Sequence, residues 1–319
     1  MINKNDKIFV AGHNGMVGRA LWMELKQRGY NNLIGLPKAH YDLTNQRAVE
    51  TLFEEYKPDY VFVAAAKVGG IGANNTQRGQ FIYDNLMIQS NLIHYSYVYE
   101  VKKLLFLGSS CIYPKFAEQP IKEEAILSGY LEPTNSPYAI AKIAGIEMVK
   151  SYREQYGCNY ISVMPTNLYG FNDYYDEFSS HVIPAIILKI RKAIDCGSDS
   201  VHLWGDGTPL REFLHASDLA DACVLLLENY NGDKIVNIGS GEEVSIAELA
   251  NIIAECMNYN GKIIFEKNQK NNGTPRKILN SEYLKSLIDW KPKYNLRSGI
   301  SEIVKTTEYM NTDDLKKIC

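Results

Sequence analysis

Tyr138-Ala-Ile-Ala-Lys142 sets a phenol and an ammonium four residues apart, a spacing that brings both to one face of a helix. A cation beside a phenol favours the phenolate, so such a pair is suited to moving protons near neutral pH. Ser109, in Ser109-Ser110-Cys111, offers a second hydroxyl to a substrate carbonyl. Taken alone, Tyr-x-x-x-Lys is also what a solvated helix face looks like. Its meaning depends on the elements that position it.

Those elements follow a regular rhythm. Ile8-Phe9-Val10-Ala11 is a β-rich run that ends in Gly12-His13-Asn14-Gly15-Met16-Val17-Gly18. Residues 17–28 then carry Val17, Ala20, Leu21 and Leu25 on one stripe, and Gly29 is placed to end the helix. Apolar runs at 33–36, 60–66, 104–107 and 160–164 alternate with helical patterns at 45–56, 78–99 and 136–156. Strands that are apolar throughout are buried on both faces, so the expected fold class is α/β, a doubly wound parallel sheet of Rossmann type. After Pro165 the rhythm changes, and residues 166–181, rich in Asn, Tyr and Asp, read as a functional loop. Helices at 182–195, 217–229, 245–257 and 298–310, with short strands at 201–204, 235–238 and 262–265, predict a smaller mixed α/β substrate-binding lobe. The expected division is 1–168 for the dinucleotide domain, with part of 211–240 returning to it, and 169–319 for the lobe.

Composition narrows the class. A chain of 319 residues, 45% apolar and 22% charged, can bury one large core and a smaller one. A net charge of -3 gives no reason to expect a nucleic-acid partner. The six cysteines are scattered, without C-x-x-C or a close His/Cys cluster. Neither a metal nor a disulfide framework is therefore expected, and a reducing compartment is. No apolar stretch has the length of a signal or a membrane span, so no membrane partner is expected and the location is taken as cytoplasmic.

Gly12-x-x-Gly15-x-x-Gly18 sits between the first strand and the first helix. Glycines there allow a tight turn and close approach to a pyrophosphate, and the helix N-terminus around Asn14, Met16 and Val17 offers it amide donors. The second strand runs out into Leu36-Pro37-Lys38-Ala39-His40, without a carboxylate for a ribose 2′-hydroxyl. Lys38, His40 or Arg19 would instead meet a 2′-phosphate, so the expected cofactor is NADP(H). Asp42 and Leu43 would border the adenine, and Ala64-Ala65-Ala66 leaves room for a ribose.

With Ser109 and Tyr138-x-x-x-Lys142, this loop resembles the extended short-chain dehydrogenase/reductase family. Longer blocks narrow the resemblance: A-A-A-K-V-G-G-I (64–71), L-G-S-S-C-I-Y-P (107–114), E-P-T-N-S-P-Y-A-I-A-K-I-A-G (132–145), M-P-T-N-L-Y-G (164–170), S-H-V-I-P-A (180–185), W-G-D-G-T-P-L-R-E-F-L-H (204–215) and G-T-P-R-K (273–277). They are similar to the GDP-4-keto-6-deoxymannose 3,5-epimerase/4-reductases, which make GDP-L-fucose, across nearly the whole chain. The resemblance implies a GDP-sugar substrate and two reactions in one pocket. A C4 ketone acidifies C3 and C5, with Cys111 as base and His181 as acid on opposite faces of the sugar. Ser109 and Tyr138 would hold the enolate oxygen and then polarise the ketone for reduction, Tyr138 giving the proton. Lys142 would hold the nicotinamide ribose and lower the tyrosine pKa. Pro165, Asn167, Leu168 and His181 would border the cofactor. For the substrate, the resemblance implies Asn167 on the diphosphate or sugar side, Lys189 and Arg211 on the phosphates, Lys277 as a further contact and Trp204 against the guanosine.

Two departures from the family pattern stand out. After Asn167-Leu168-Tyr169-Gly170 the family commonly continues Pro-His-Asp-Asn-Phe, where this chain has Phe171-Asn172-Asp173-Tyr174-Tyr175; Asn14 also stands where some relatives carry a basic residue. A C4-reductase or 5-epimerase/4-reductase acting on a related GDP-4-keto sugar, a deoxyheptose or the colitose precursor, is the alternative. A non-catalytic dinucleotide-binding protein on the same fold is a third. A homodimer is expected; the helical stretches at 78–99 and 136–156 either pair with their copies across a two-fold axis or pack only within the monomer.

Overall fold

The computed structural model describes residues 2–176, 180–266 and 273–307. It runs β1 (Ile8–Ala11), α1 (Met16–Gln27), β2 (Leu33–Ile34), α2 (Gln46–Tyr56), β3 (Tyr60–Val63), α3 (Ile71–Thr76), α4 (Arg78–Val98), β4 (Lys103–Leu107), α5 (Ser136–Tyr156) and β5 (Tyr160–Pro165). There follow β6 (Asn167–Tyr169), α6 (Val182–Asp195), β7 (Ser200–Leu203), β8 (Leu210–His215), α7 (Ala216–Asn229) and β9 (Val236–Ile238). The chain continues through β10 (Glu243–Ser245), α8 (Ile246–Cys256), β11 (Lys262–Phe265), β12 (Arg276–Lys277), α9 (Glu282–Leu287) and α10 (Leu296–Thr307).

Six strands pair in parallel in the order β2-β1-β3-β4-β5-β9. Alternate side chains enter different cores. Ile8, Val10, Phe62, Leu105 and Val163 pack with Leu21 and Leu25 of α1 and Leu219, Cys223 and Leu226 of α7. Phe9, Ala11, Val61, Val63 and Phe106 pack on the other face with Leu52 and Phe53 of α2, Leu92 of α4 and Val149 of α5. The apolar strands are thus explained by burial on both sides, and each large side chain so buried contributes about 1.5–3 kcal/mol. The chain turns back across β1 between β2 and β3, opening a crevice at the carboxyl ends of the strands.

The remaining strands build the crevice's other wall. β8 lies between β10 and β12 and also pairs with β6, while β7 pairs with β11. A third core gathers Ile183, Ile187 and Ile190 of α6, Leu249 and Ile253 of α8, and Ile300 of α10. α8 opens with a reciprocal cap, Ser245 on the Glu248 amide and the Glu248 carboxylate on the Ser245 amide.

The elements differ from the sequence reading in several places, β8, β10, β12 and α9 being further elements it did not give. The 33–36 run pairs over two residues only, since Gly35 and Pro37 stop it. The glycine-rich stretch at 68–72 leads into a helix, α3, rather than remaining loop. The 166–181 stretch holds the strand β6, whose pairing with β8 comes from tertiary contact and leaves no periodic signal. α10 begins at Leu296, and residues 308–310 of the expected last helix lie outside the described residues. Among the described residues, no helix is long and apolar enough to cross a membrane.

Candidate active site

Of the residues assigned above to the cofactor, the substrate or the chemistry, all but Arg19 and His40 line one cavity of about 910 Å³. That leaves Lys38, of the three basic side chains offered for a 2′-phosphate, at the cavity wall.

At one end the cavity runs along the β1–α1 turn. Gly12 has φ +83°, and a Cβ there would stand 2.8 Å from the Ala65 backbone. A Cβ on Gly18 would stand 2.0 Å from the Gly12 carbonyl, so the helix reaches the turn only because both positions are bare. Gly15 caps α1 without any side-chain hydrogen bond, and the helix's first amides stay open toward the cavity. Asp42 is occupied locally: its Oδ1 accepts from the Thr44 amide at 3.0 Å and the Thr44 hydroxyl at 2.8 Å. With the Ala64–Ala66 backbone opposite and no carboxylate free at the strand end, the cradle fits a dinucleotide that carries an extra phosphate near Lys38.

Midway, the β4 strand end and the first turn of α5 face each other. Ser109 follows β4, accepts from the Cys111 amide at 3.2 Å and hydrogen-bonds to Tyr138. Lys142, one turn on, is buried and donates from Nζ to the Leu107 carbonyl at 2.7 Å, with the Phe106 ring 4.8 Å away. The expectation that Lys142 lowers the tyrosine pKa is corrected here. Burial, with Cys111 beside it, pushes the Tyr138 phenol up, and the Ser109 bond alone opposes that. Burial also brings Lys142 down to about 7. Desolvation penalises both charged forms and outweighs their mutual attraction. A phenol held in its protonated form is an acid, which suits a proton donor.

Cys111 sits in a single 3₁₀ turn, Ser110–Ile112, and receives Nδ2 of Asn135 at 3.5 Å and Nζ of Lys277 at 4.0 Å. Across the cavity, His181 is the N-cap of α6, open to the cleft but walled by protein. Burial lowers its pKa, Asp173 raises it and Lys277 lowers it. Arg211 and Lys277 lie opposite each other on β8 and β12. Burial brings Arg211 down to about 10, while Cys111 and Glu132 pull it up. Asn167 donates from Nδ2 to the Glu212 carbonyl at 2.8 Å. Lys189 donates to the His202 carbonyl at 2.9 Å and lies 5.1 Å from the half-exposed Trp204 ring.

Among the cavity residues not singled out from the sequence, Asn135, Glu132 and Asp173 lie beside the chemistry. Asn135 and Glu132 lie within the 132–145 block, three and six residues before Tyr138, so their position was the available signal. Asp173 falls in the loop that departs from the family pattern. Its Oδ1 accepts from the Tyr174 amide at 2.8 Å, and its Oδ2 is buried with no hydrogen-bond partner among the described residues.

Comparison with known proteins is consistent along the chain. A model of the NAD dependent epimerase/dehydratase family matches residues 8–239. GDP-L-fucose synthase 1 of Arabidopsis thaliana is 54% identical over 302 residues, covering 95% of this chain and 93% of the relative. GDP-L-fucose synthase of Escherichia coli (strain K12) is 46% identical over 304 residues, covering 92% and 94%. Among solved structures, a GDP-D-glycero-L-gluco-heptose synthase from Campylobacter jejuni, crystallised in the presence of NADPH, superposes with a TM-score of 0.88 at 35% identity, covering 97% of this chain and 100% of that one. The chain belongs to the NAD dependent epimerase/dehydratase family, the extended short-chain dehydrogenase/reductases, on its GDP-L-fucose synthase branch.

Proposed function

We propose that the protein is an NADP(H)-dependent bifunctional enzyme that converts GDP-4-keto-6-deoxy-D-mannose to GDP-L-fucose, by epimerisation at C3 and C5 and then reduction at C4. The observation that supports this most directly is the convergence of four side chains on one cavity that also runs to the glycine turn: Ser109, Tyr138, Cys111 and His181. The identity of 46–54% to GDP-L-fucose synthases, against 35% to the heptose synthase, favours the hexose substrate. The NADPH of the heptose synthase structure favours the phosphorylated cofactor.

In this mechanism Ser109 and Tyr138 hold the sugar's O4. Cys111 takes the proton from C3 or C5, the two hydroxyls stabilise the enolate, and His181 returns a proton from the opposite face. Along the β1–α1 turn, Lys38 would hold the 2′-phosphate and Lys142 the nicotinamide ribose of a bound NADPH, whose chemistry would be hydride donation to C4. Tyr138, kept protonated by burial, gives its proton to O4. Arg211 and Lys189 meet the phosphates, Lys277 is a further substrate contact, Asn167 lies on the diphosphate or sugar side, and Trp204 packs on the guanosine. A homodimer and a cytoplasmic location complete the proposal. For the dimer the support is the packed pair α4 and α5, which leaves Tyr83, Val98, Ile140 and Tyr156 exposed, and light scattering in solution tests it.

Incubation with GDP-4-keto-6-deoxymannose and NADPH, with the product identified by NMR, tests the function. The expected product is GDP-L-fucose with one NADPH oxidised per sugar. Turnover restricted to a GDP-4-keto-heptose or to the colitose precursor would move the substrate. No turnover across such a panel would leave a dinucleotide-binding protein.

A further inference from the structure

The polar neighbours of the Cys111 sulfur are both donors. Lys277 Nζ stands 4.0 Å away and Asn135 Nδ2 3.5 Å away, while the Cys111 amide is held at 3.2 Å by Ser109 Oγ. The other ionisable groups felt around this pair are Tyr138 and Arg211 near the thiol, and Arg211, Glu212, Glu132 and His181 near the ammonium. Contacts from a cation and from an amide N–H both strengthen when the sulfur they meet carries charge. Burial holds the Lys277 ammonium below its ordinary range and Arg211 lowers it further, while Cys111, Glu212 and Glu132 oppose that. The backbone fixes its reach, since β12 pairs Lys277 opposite Arg211 on β8.

We propose that Lys277, assisted by Asn135, is a positioning residue that stabilises negative charge on the Cys111 sulfur, a role separate from any contact with substrate phosphates. This deepens the proposed function and rests on Cys111 being its base. The same ammonium disfavours the imidazolium at His181, and the Asp173 carboxylate opposes it there.

Alkylation of the free enzyme by iodoacetamide tests this without any sugar. The thiolate sulfur forms the new S–C bond as iodide leaves, and peptide mass mapping reads Cys111 separately from the other cysteines. At neutral pH, Lys277→Met should slow Cys111 alkylation on the order of tenfold. Lys277→Arg should restore most of the rate, and NADPH binding followed by fluorescence should be unchanged. Asn135→Asp, which sets a carboxylate beside the sulfur, should also slow it, and this serves if Lys277→Met does not fold. Equal Cys111 alkylation rates in wild type, Lys277→Met and Asn135→Asp would overturn the proposal. So would an unchanged rate in Lys277→Met accompanied by a raised KM for the GDP-sugar, which would make Lys277 a substrate contact only. Because no sugar is present, an error in the substrate assignment leaves this outcome intact, and the product assay fails or succeeds independently of it.

Discussion

Glu212 is wholly buried at the junction between the two walls of the cavity, and replacing it should cost more than any surface charge. Its carboxylate accepts from the Gly241 amide at 2.8 Å and the Leu279 amide at 3.0 Å. It thereby ties β8 to the turn after β9 and to the segment that follows Lys277. Burial pushes its pKa up, and the backbone bonds from Gly241 and Leu279 pull it back. Glu212→Ala strands the buried Leu279 amide, at about 1–3 kcal/mol, loses the part-buried bond from the Gly241 amide and opens a cavity, so the expected loss is roughly 2–5 kcal/mol. Glu212→Gln keeps one acceptor oxygen but turns an amide nitrogen toward a donor, and should lose roughly half as much. Urea unfolding at neutral pH reads both, with an unchanged m-value showing that the folded and unfolded states are comparable. Activity should respond through KM for the GDP-sugar, because Arg211 and Lys277 sit on the strands this carboxylate aligns. A Glu212→Ala protein within about 1 kcal/mol of wild type would refute the reasoning.

Two further outcomes follow from the site's electrostatics. Lys142 is held to about 7 against an ordinary value of 10.5, so between those values the unfolded chain carries a proton that the folded chain does not. Stability should therefore rise with pH across that window, by up to about 1.4 kcal/mol per unit, and lie flat below about 7. Lys142→Met should remove the slope, and a stability difference between the two proteins that does not change from pH 6 to 9 would contradict this. Lys38→Met should weaken NADPH binding about tenfold and leave NADH nearly unchanged; isothermal titration with both cofactors measures it, and equal losses would remove Lys38 from the 2′-phosphate.

The first sheet was legible because its strands are apolar throughout, a pattern that parallel burial alone requires, and because Gly12, Gly15 and Gly18 fall between one strand and one helix. Ser109, Tyr138 and Lys142 were legible once that sheet put the β4 end and the start of α5 on the same edge. The second wall was harder to read. β6, β10 and β12 are two or three residues long and exist because β8 pairs with them, and no local pattern announces such pairing. The same non-local packing brings Lys277 to Cys111 across 166 residues of chain. The direction of the Tyr138 shift was misread because spacing reveals proximity but not burial, and burial decides the sign.

Hydrogen exchange from solvent into the sugar probes the shared pocket most directly. In deuterium oxide, with GDP-4-keto-6-deoxymannose and NADPH, wild type should deliver GDP-L-fucose labelled at C3 and C5. Cys111→Ser should yield only the unlabelled, unepimerised C4 alcohol. Label still entering C3 and C5 in Cys111→Ser would mean that another base does the work, and the division of labour between the thiol and the Ser109–Tyr138 pair would be wrong.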